Sequence, residues 1–252
     1  LGYSAAYVPG LRPEQIAAYA SAAVANDLVL AEVGAWSNPL SDDPRARQEA
    51  IDKCINALSL ADEVGARLCV NIAGSRGQKW DGPHPKNLTR ETFDMIVQIV
   101  RHIIDSAKPK RTYYTLETMP WIWPDSADAY LQLIHAIDRK QFAVHLDPVN
   151  IINCPARIFD TKSMLRDCFE KLGPYIRGCH GKDITIANNL TLHLDECLPG
   201  TGYLDYAEFL RQLDRLHPDT PLMLEHLSTP EEFDQAAAHV RKVAKQEGIE
   251  IR

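Results

Sequence analysis

Short runs of β-branched and apolar residues alternate with longer segments of helical period along the whole of this 252-residue chain. A strand followed by a helix, repeated, sets successive strands parallel, because each helical crossover returns the chain to the same end of the sheet. The strand-like runs lie at 28–36, 67–73, 112–117, 142–147, 175–183 and 221–227. Between them the apolar period changes. Ala50, Cys54, Leu58, Ala61 and Val64 recur at helical spacing, as do Phe93, Ile96, Val97, Val100, Ile103 and Ile104. Such a stripe marks one buried helix face.

Boundary signals agree with these segments. Pro13, Pro44 and Pro230 stand at first helical positions, Asp43 and Thr229 stand at N-caps, and Glu232 lies at capping-box distance from Thr229. Gly65 and Gly248 fall where a left-handed residue closes a helix. Length and repeat together predict an α/β fold, a (β/α)8 TIM barrel. Residues 1–252 are expected to form a single domain, since no linker, charge block or composition shift divides them. Counting a strand around 1–7 gives seven, where a closed barrel needs eight. The expectation is a barrel lacking its first strand at the N-terminus of this chain, with residues 249–251 as a shorter alternative source.

Composition excludes some partners. The net charge of −7, with no long basic run, counts against nucleic acid. No stretch reaches the roughly 18 apolar residues of a membrane span, and no secretory leader is visible. Six cysteines are scattered without a C-x-x-C pair, which predicts reduced thiols in a cytoplasmic protein rather than a disulfide scaffold or zinc knuckle.

Four strand-like runs end alike, each on a side chain that binds metals: Tyr-Tyr-Thr-Leu-Glu117, Ala-Val-His-Leu-Asp147, Arg-Gly-Cys-His180 and Leu-Met-Leu-Glu225. The C-terminal tips of parallel barrel strands converge on one face, and their side chains alternate between lumen and outside. Glu117, Asp147, His180 and Glu225 can therefore meet without any local motif. Three crowded carboxylates repel one another and lose hydration, a conflict that a divalent cation removes. Three carboxylates and one imidazole, with no thiolate, favour a hard or borderline ion such as Mn²⁺, Mg²⁺ or Co²⁺ over structural zinc; Mn²⁺ is the expected ion, with Mg²⁺, Co²⁺ and Zn²⁺ as alternatives.

These residues sit within Leu-Glu117-Thr-Met-Pro, His-Leu-Asp147-Pro-Val-Asn150, His180-Gly-Lys182-Asp183, Leu-Pro-Gly200-Thr-Gly202-Tyr-Leu-Asp205-Tyr and Leu-Glu225-His. In that order the segments resemble the xylose-isomerase-like TIM barrels, the sugar phosphate isomerase/epimerase superfamily. The resemblance is specific over the second half of the chain and only general over the first. It implies one divalent metal on Glu117, Asp147, His180 and Glu225, a small-molecule carbohydrate substrate and a homo-oligomer. In the ketose-epimerase branch the two glutamates also act as acid and base, so Glu117 and Glu225 are the expected proton handlers. That branch carries a further Glu six residues after the first and an Arg six after the histidine. Here those positions are Trp123 and Ile186, so the epimerase substrate clamp is not matched.

Further candidates surround this set. Lys182 is expected to bind a substrate oxygen or stabilise an enolate, or else to form a structural ion pair. His145, two residues before Asp147, shares its face deeper in the barrel, as a substrate contact or a core histidine. His193 is a candidate general acid or base. Asn71, Trp123, Asn150 and Asp183 are candidate substrate contacts, and Asn150 and His226 are candidate supports for the ligands. Glu32 and Trp36 end another strand, and the stretch 74–82 with Arg76 offers backbone amides to a ligand. The expected activity is isomerisation or epimerisation of a sugar or sugar-derived keto compound by proton transfer next to a carbonyl. The competing reading is a lyase that expels a leaving group from an oxidised, 3-keto sugar or glycoside. A non-catalytic sugar-binding subunit ranks below both, and the acidic balance disfavours a nuclease.

Overall fold

The computed structural model describes residues 4–251. Seven strands form one sheet in the order β1 (Ala5–Val8), β2 (Val29–Gly34), β3 (Leu68–Asn71), β4 (Tyr113–Glu117), β5 (Phe142–Leu146), β6 (Ile176–Gly181) and β9 (Leu222–Leu224). Every neighbouring pair is parallel. Between β6 and β9 the chain inserts an antiparallel hairpin of β7 (Asp183–Ile186) and β8 (Leu194–Cys197). The crossovers carry α1 (Pro13–Ala25), α2 (Pro44–Val64), α3 (Arg90–Ala107), α4 (Ala127–Ile137), α7 (Thr161–Leu172) and α8 (Tyr206–Leu213), with short turns α5 (Pro148–Ile151) and α6 (Pro155–Ile158) before α7. Helix α9 (Pro230–Glu247) follows the last strand. Among the described residues this is a nearly closed TIM barrel lacking one strand, as the repeat predicts.

The helices dock through the stripes seen in the sequence. Ala50, Cys54, Leu58, Ala61 and Val64 of α2 are buried, as are Phe93, Ile96, Val97, Val100, Ile103 and Ile104 of α3. Strands β3 and β5 are buried along their whole length, because a barrel strand has helices on one face and the lumen on the other. Asp43 caps α2 through the amides of Arg45 and Ala46, and Thr229 caps α9 through that of Glu232. Gly65 and Gly248 close these helices at φ 84° and 72°. The reciprocal arm of the α9 capping box is displaced by one residue, since Glu232 accepts from the Ser228 amide at 2.6 Å.

The missing strand leaves a seam. Strands β9 and β1 end the sheet order, and among the described residues neither pairs with a strand on its outer side. Leu28, Leu222, Phe233, Val240 and Ile249 line an apolar groove of about 1080 Å³ along it. The predicted strand at 1–7 is realised as Ala5–Val8; residues 1–3 lie outside the described residues. Residues 249–251 form no strand and line the groove instead. Among the described residues no helix is long and apolar enough to cross a membrane, and all six cysteines are free thiols.

One tyrosine ties a helix to the strands that carry the barrel's polar residues. Tyr130 of α4 is fully buried. Its hydroxyl accepts from the Leu116 amide at 3.1 Å and lies 2.6 Å from the Leu116 carbonyl and 2.9 Å from that of Ala143. Tyr130→Phe strips the buried Leu116 amide of that acceptor and is expected to cost about 1–3 kcal/mol. Urea unfolding followed by circular dichroism measures the loss, and an unchanged midpoint would remove the hydroxyl from this role.

Candidate metal centre

Parallel register brings the four strand-end residues together. Glu117 closes β4, and Asp147 directly follows β5, where its Oδ1 caps α5 by accepting the Asn150 amide at 3.1 Å. His180 lies in β6 opposite Met223 of β9, which sets Glu225 at the tip of β9. One ligand atom from each of Glu117, Asp147, His180 and Glu225 lies within 4.8 Å of the others. His180 Nδ1 is 2.9 Å from Glu225 Oε2, 3.2 Å from Glu117 Oε1 and 3.8 Å from Asp147 Oδ2. Glu225 alone of the four has a side chain noticeably open to solvent, at 22%.

Lys182, just after β6, reaches the same carboxylates. Its Nζ is 2.8 Å from Asp147 Oδ2, 3.0 Å from Glu225 Oε2 and 3.6 Å from Glu117 Oε1. Burial disfavours its charge, but Asp147, Glu117 and Glu225 outweigh that and hold its pKa above the ordinary lysine value. The same contest raises His180, where burial loses to Glu117, Asp147 and Glu225. Burial pushes the Glu117 carboxyl up, against the pull of His180. Asp147 and Glu225 are also penalised by burial, yet Lys182 and His180 hold both carboxyls below the usual range.

Two neighbours hold the candidate ligands in place. Asn150 donates its side-chain amide to Glu117 Oε1 at 2.9 Å. Thr118 Oγ1 donates to the Asp147 carbonyl at 2.7 Å and accepts its amide at 3.2 Å, which locks the tip of β4 to that of β5. Sequence reasoning missed Thr118; its only signal is a polar residue directly after Glu117. Asp147 Oδ2 and Glu225 Oε2 are reached by charges but receive no well-directed hydrogen bond. Convergent carboxylate oxygens with spare acceptor capacity, plus one imidazole, fit a divalent cation of hard or borderline character.

The remaining candidates divide by position. His145 is fully buried in β5, in register with Glu117, and burial together with His180 pushes it down to about 3. Asn71 is turned away from the cluster: its side chain bonds the Ser37 backbone and Cys54 Sγ. Trp123 packs edge-on against Phe93 and donates to the Thr89 carbonyl at 3.3 Å. His193 is exposed in the β7–β8 turn beside Thr191. Arg76 is held inside by Asp42 and Glu91, and Asn87 and Ser75 bond the loop around it. A residue that sequence reasoning did not single out is Glu196 of β8. It pairs with His226 Nδ1 at 2.8 Å and lies 3.4 Å from Lys182 Nζ. His226 adopts a left-handed φ of 58°, uncommon for a residue other than glycine.

Asp183 has a complete set of backbone partners. Its Oδ1 accepts the Ile184 and Leu204 amides at 2.9 and 3.0 Å, and its Oδ2 accepts those of Gly200 and Gly202, both at 2.9 Å. This carboxylate organises the 198–204 loop, in which Gly200 takes φ 95°. Asp183→Ala is expected to cost on the order of 3 kcal/mol and to open the loop to protease, with Asp183→Asn milder because one oxygen remains. Urea unfolding and limited proteolysis test this; full stability in both variants would free Asp183 for a ligand.

Among curated proteins none matches this sequence. Solved structures match the fold. D-psicose 3-epimerase with D-tagatose from Clostridium cellulolyticum H10 superposes with a TM-score of 0.71 at 16% identity, over 98% of this chain and 90% of that one. A xylose isomerase-like TIM barrel protein from Mycobacterium smegmatis in complex with magnesium gives 0.69 at 14% identity, over 98% and 85%. Endonuclease IV from Thermus thermophilus gives 0.71 at 14% identity, over 94% and 84%. The family model described as xylose isomerase-like TIM barrel matches residues 2–243. By that match the chain belongs to the xylose isomerase-like TIM barrel family.

Proposed function

We propose that this chain is an enzyme that moves a proton next to a carbonyl of a sugar or sugar-derived keto compound, giving isomerisation or epimerisation. One divalent cation, Mn²⁺ in first preference, is held by Glu117, Asp147, His180 and Glu225. The observation that carries the reading is their convergence within 4.8 Å at the strand tips of the barrel. Family membership and the fold neighbours support it. When bound, the cation polarises the substrate carbonyl and acidifies the adjacent C–H.

The chain's own residues then have separate tasks. Glu225, with its partly open side chain, takes the proton from the substrate carbon. Glu117, buried and steadied by the Asn150 amide, is the second proton handler. Lys182 stands among three carboxylates and presents its ammonium to a substrate oxygen as negative charge develops there. The Glu196–His226 pair, half-exposed on both sides, borders the cluster where substrate arrives. We propose that this activity belongs to one domain spanning residues 1–252, in a cytoplasmic homo-oligomer.

One feature favours a second reading. The epimerase clamp position is Trp123, whose indole is committed to Thr89 and Phe93. With no acid there to hold the far end of a ketose, elimination of a leaving group from a 3-keto sugar competes with reprotonation.

Mn²⁺ at a hundredfold its dissociation constant should raise stability by about 2.7 kcal/mol, and Asp147→Asn should abolish that gain; thermal unfolding with and without metal reads both. In D₂O with Mn²⁺ and a panel of keto-sugars, deuterium uptake without mass loss identifies the isomerase, and loss of water or an aglycone identifies the lyase. Glu117→Gln and Glu225→Gln should each slow the reaction by about 10²- to 10⁴-fold. Metal binding with no exchange on any substrate would leave only a sugar-binding role.

A further inference from the structure

A second polar cluster lies on the other side of His180. While Nδ1 of that ring faces Glu117, Asp147 and Glu225, Nε2 lies 3.4 Å from Glu32 Oε1. Glu32 comes from β2, and its other oxygen lies 3.7 Å from His145 Nδ1. The His145 and His180 rings stand 4.1 Å apart at 70°. All three residues are buried, at 4% exposure for Glu32, 0% for His145 and 1% for His180. One ligand atom from each lies within 4.8 Å of the others.

Unpartnered polar atoms set this cluster apart from an ordinary buried hydrogen-bond network. Both ring nitrogens of His145 and Oε2 of Glu32 lack any hydrogen-bond partner, although all are buried. Buried polar atoms are rarely left so. His145 stands in register with Gly178 of β6, where an added Cβ would clash with Leu68 at 2.6 Å but only touch His145 Nδ1, at 3.4 Å.

We propose that Glu32, His145 and the Nε2 side of His180 form a second cation site deeper in the barrel, selective for a borderline transition ion such as Co²⁺, Zn²⁺ or Fe²⁺ over Mg²⁺. Two imidazoles and one carboxylate suit such ions, whereas Mg²⁺ demands oxygen donors in octahedral array. With both sites filled, His180 would serve one site through each ring nitrogen, and its second ring proton would leave to solvent. The site rests on the metal reading of Glu117, Asp147 and Glu225 only through this shared ring.

Counting bound metal tests the proposal without any variant. Metal-stripped protein is dialysed against Mg²⁺ or against Co²⁺, and metal per chain is measured by mass spectrometry. One Mg²⁺ but two Co²⁺ per chain is the expected result. His145→Phe and Glu32→Gln should each remove one Co²⁺ and leave the Mg²⁺ count unchanged, with circular dichroism confirming the fold. A single Co²⁺ per wild-type chain that both variants retain, as when a buried water satisfies the His145 nitrogens, overturns the deeper site. A second Co²⁺ that survives both variants overturns it as well. If the wild type retains no Mg²⁺ while His145→Phe still loses its Co²⁺, the Glu117 centre fails and the deeper site stands.

Discussion

Charge balance inside the barrel is the constraint around which this structure is arranged. Glu32, Glu117, Asp147 and Glu225 project into one lumen with His180 and Lys182 between them. Removing four carboxylates from water is costly unless cations meet them. The imidazole and the ammonium do so only in part, since Asp147 Oδ2, Glu225 Oε2 and Glu32 Oε2 receive no directed hydrogen bond. A lumen of this kind is built to hold positive charge.

The scaffold serves that balance. Parallel pairing sets Glu117 beside His145 and puts His180 one strand away from both Asp147 and Glu225. Tyr130 ties the backbone of Leu116 in β4 to that of Ala143 near the start of β5, and Thr118 ties the tip of β4 to Asp147 after β5, so the backbone of the candidate ligands is held by bonds independent of their side chains. The β7–β8 hairpin, anchored by Asp183, carries Glu196 back to Lys182 and His226. It thereby adds a polar edge that the strands of the barrel do not supply.

Much of this was legible in the chain. The helical stripes of α2 and α3, the caps at Asp43 and Thr229, and the left-handed closures at Gly65 and Gly248 are local features, set by side-chain period and backbone sterics. The convergence of Glu117, Asp147, His180 and Glu225 was legible for a related reason, because a strand-end position in a parallel barrel implies where its side chain goes. Asn71 and Asp183 were harder. Both sit at or next to a strand end, and nothing local says whether a carboxamide or carboxylate there turns inward or satisfies a loop. Asn71 goes to Ser37 and Cys54, and Asp183 to four backbone amides, partners up to 34 residues away in sequence.

By itself, then, the sequence determined the alternation of strands and helices, the seven strands of the barrel though not the β7–β8 hairpin, and the residues at the barrel strands' tips, since each follows from short-range periodicity. Tertiary structure alone decided that Glu32 meets His145 and His180 and that Glu196 meets Lys182 and His226. These depend on the shear and register of distant strands, which no local pattern records.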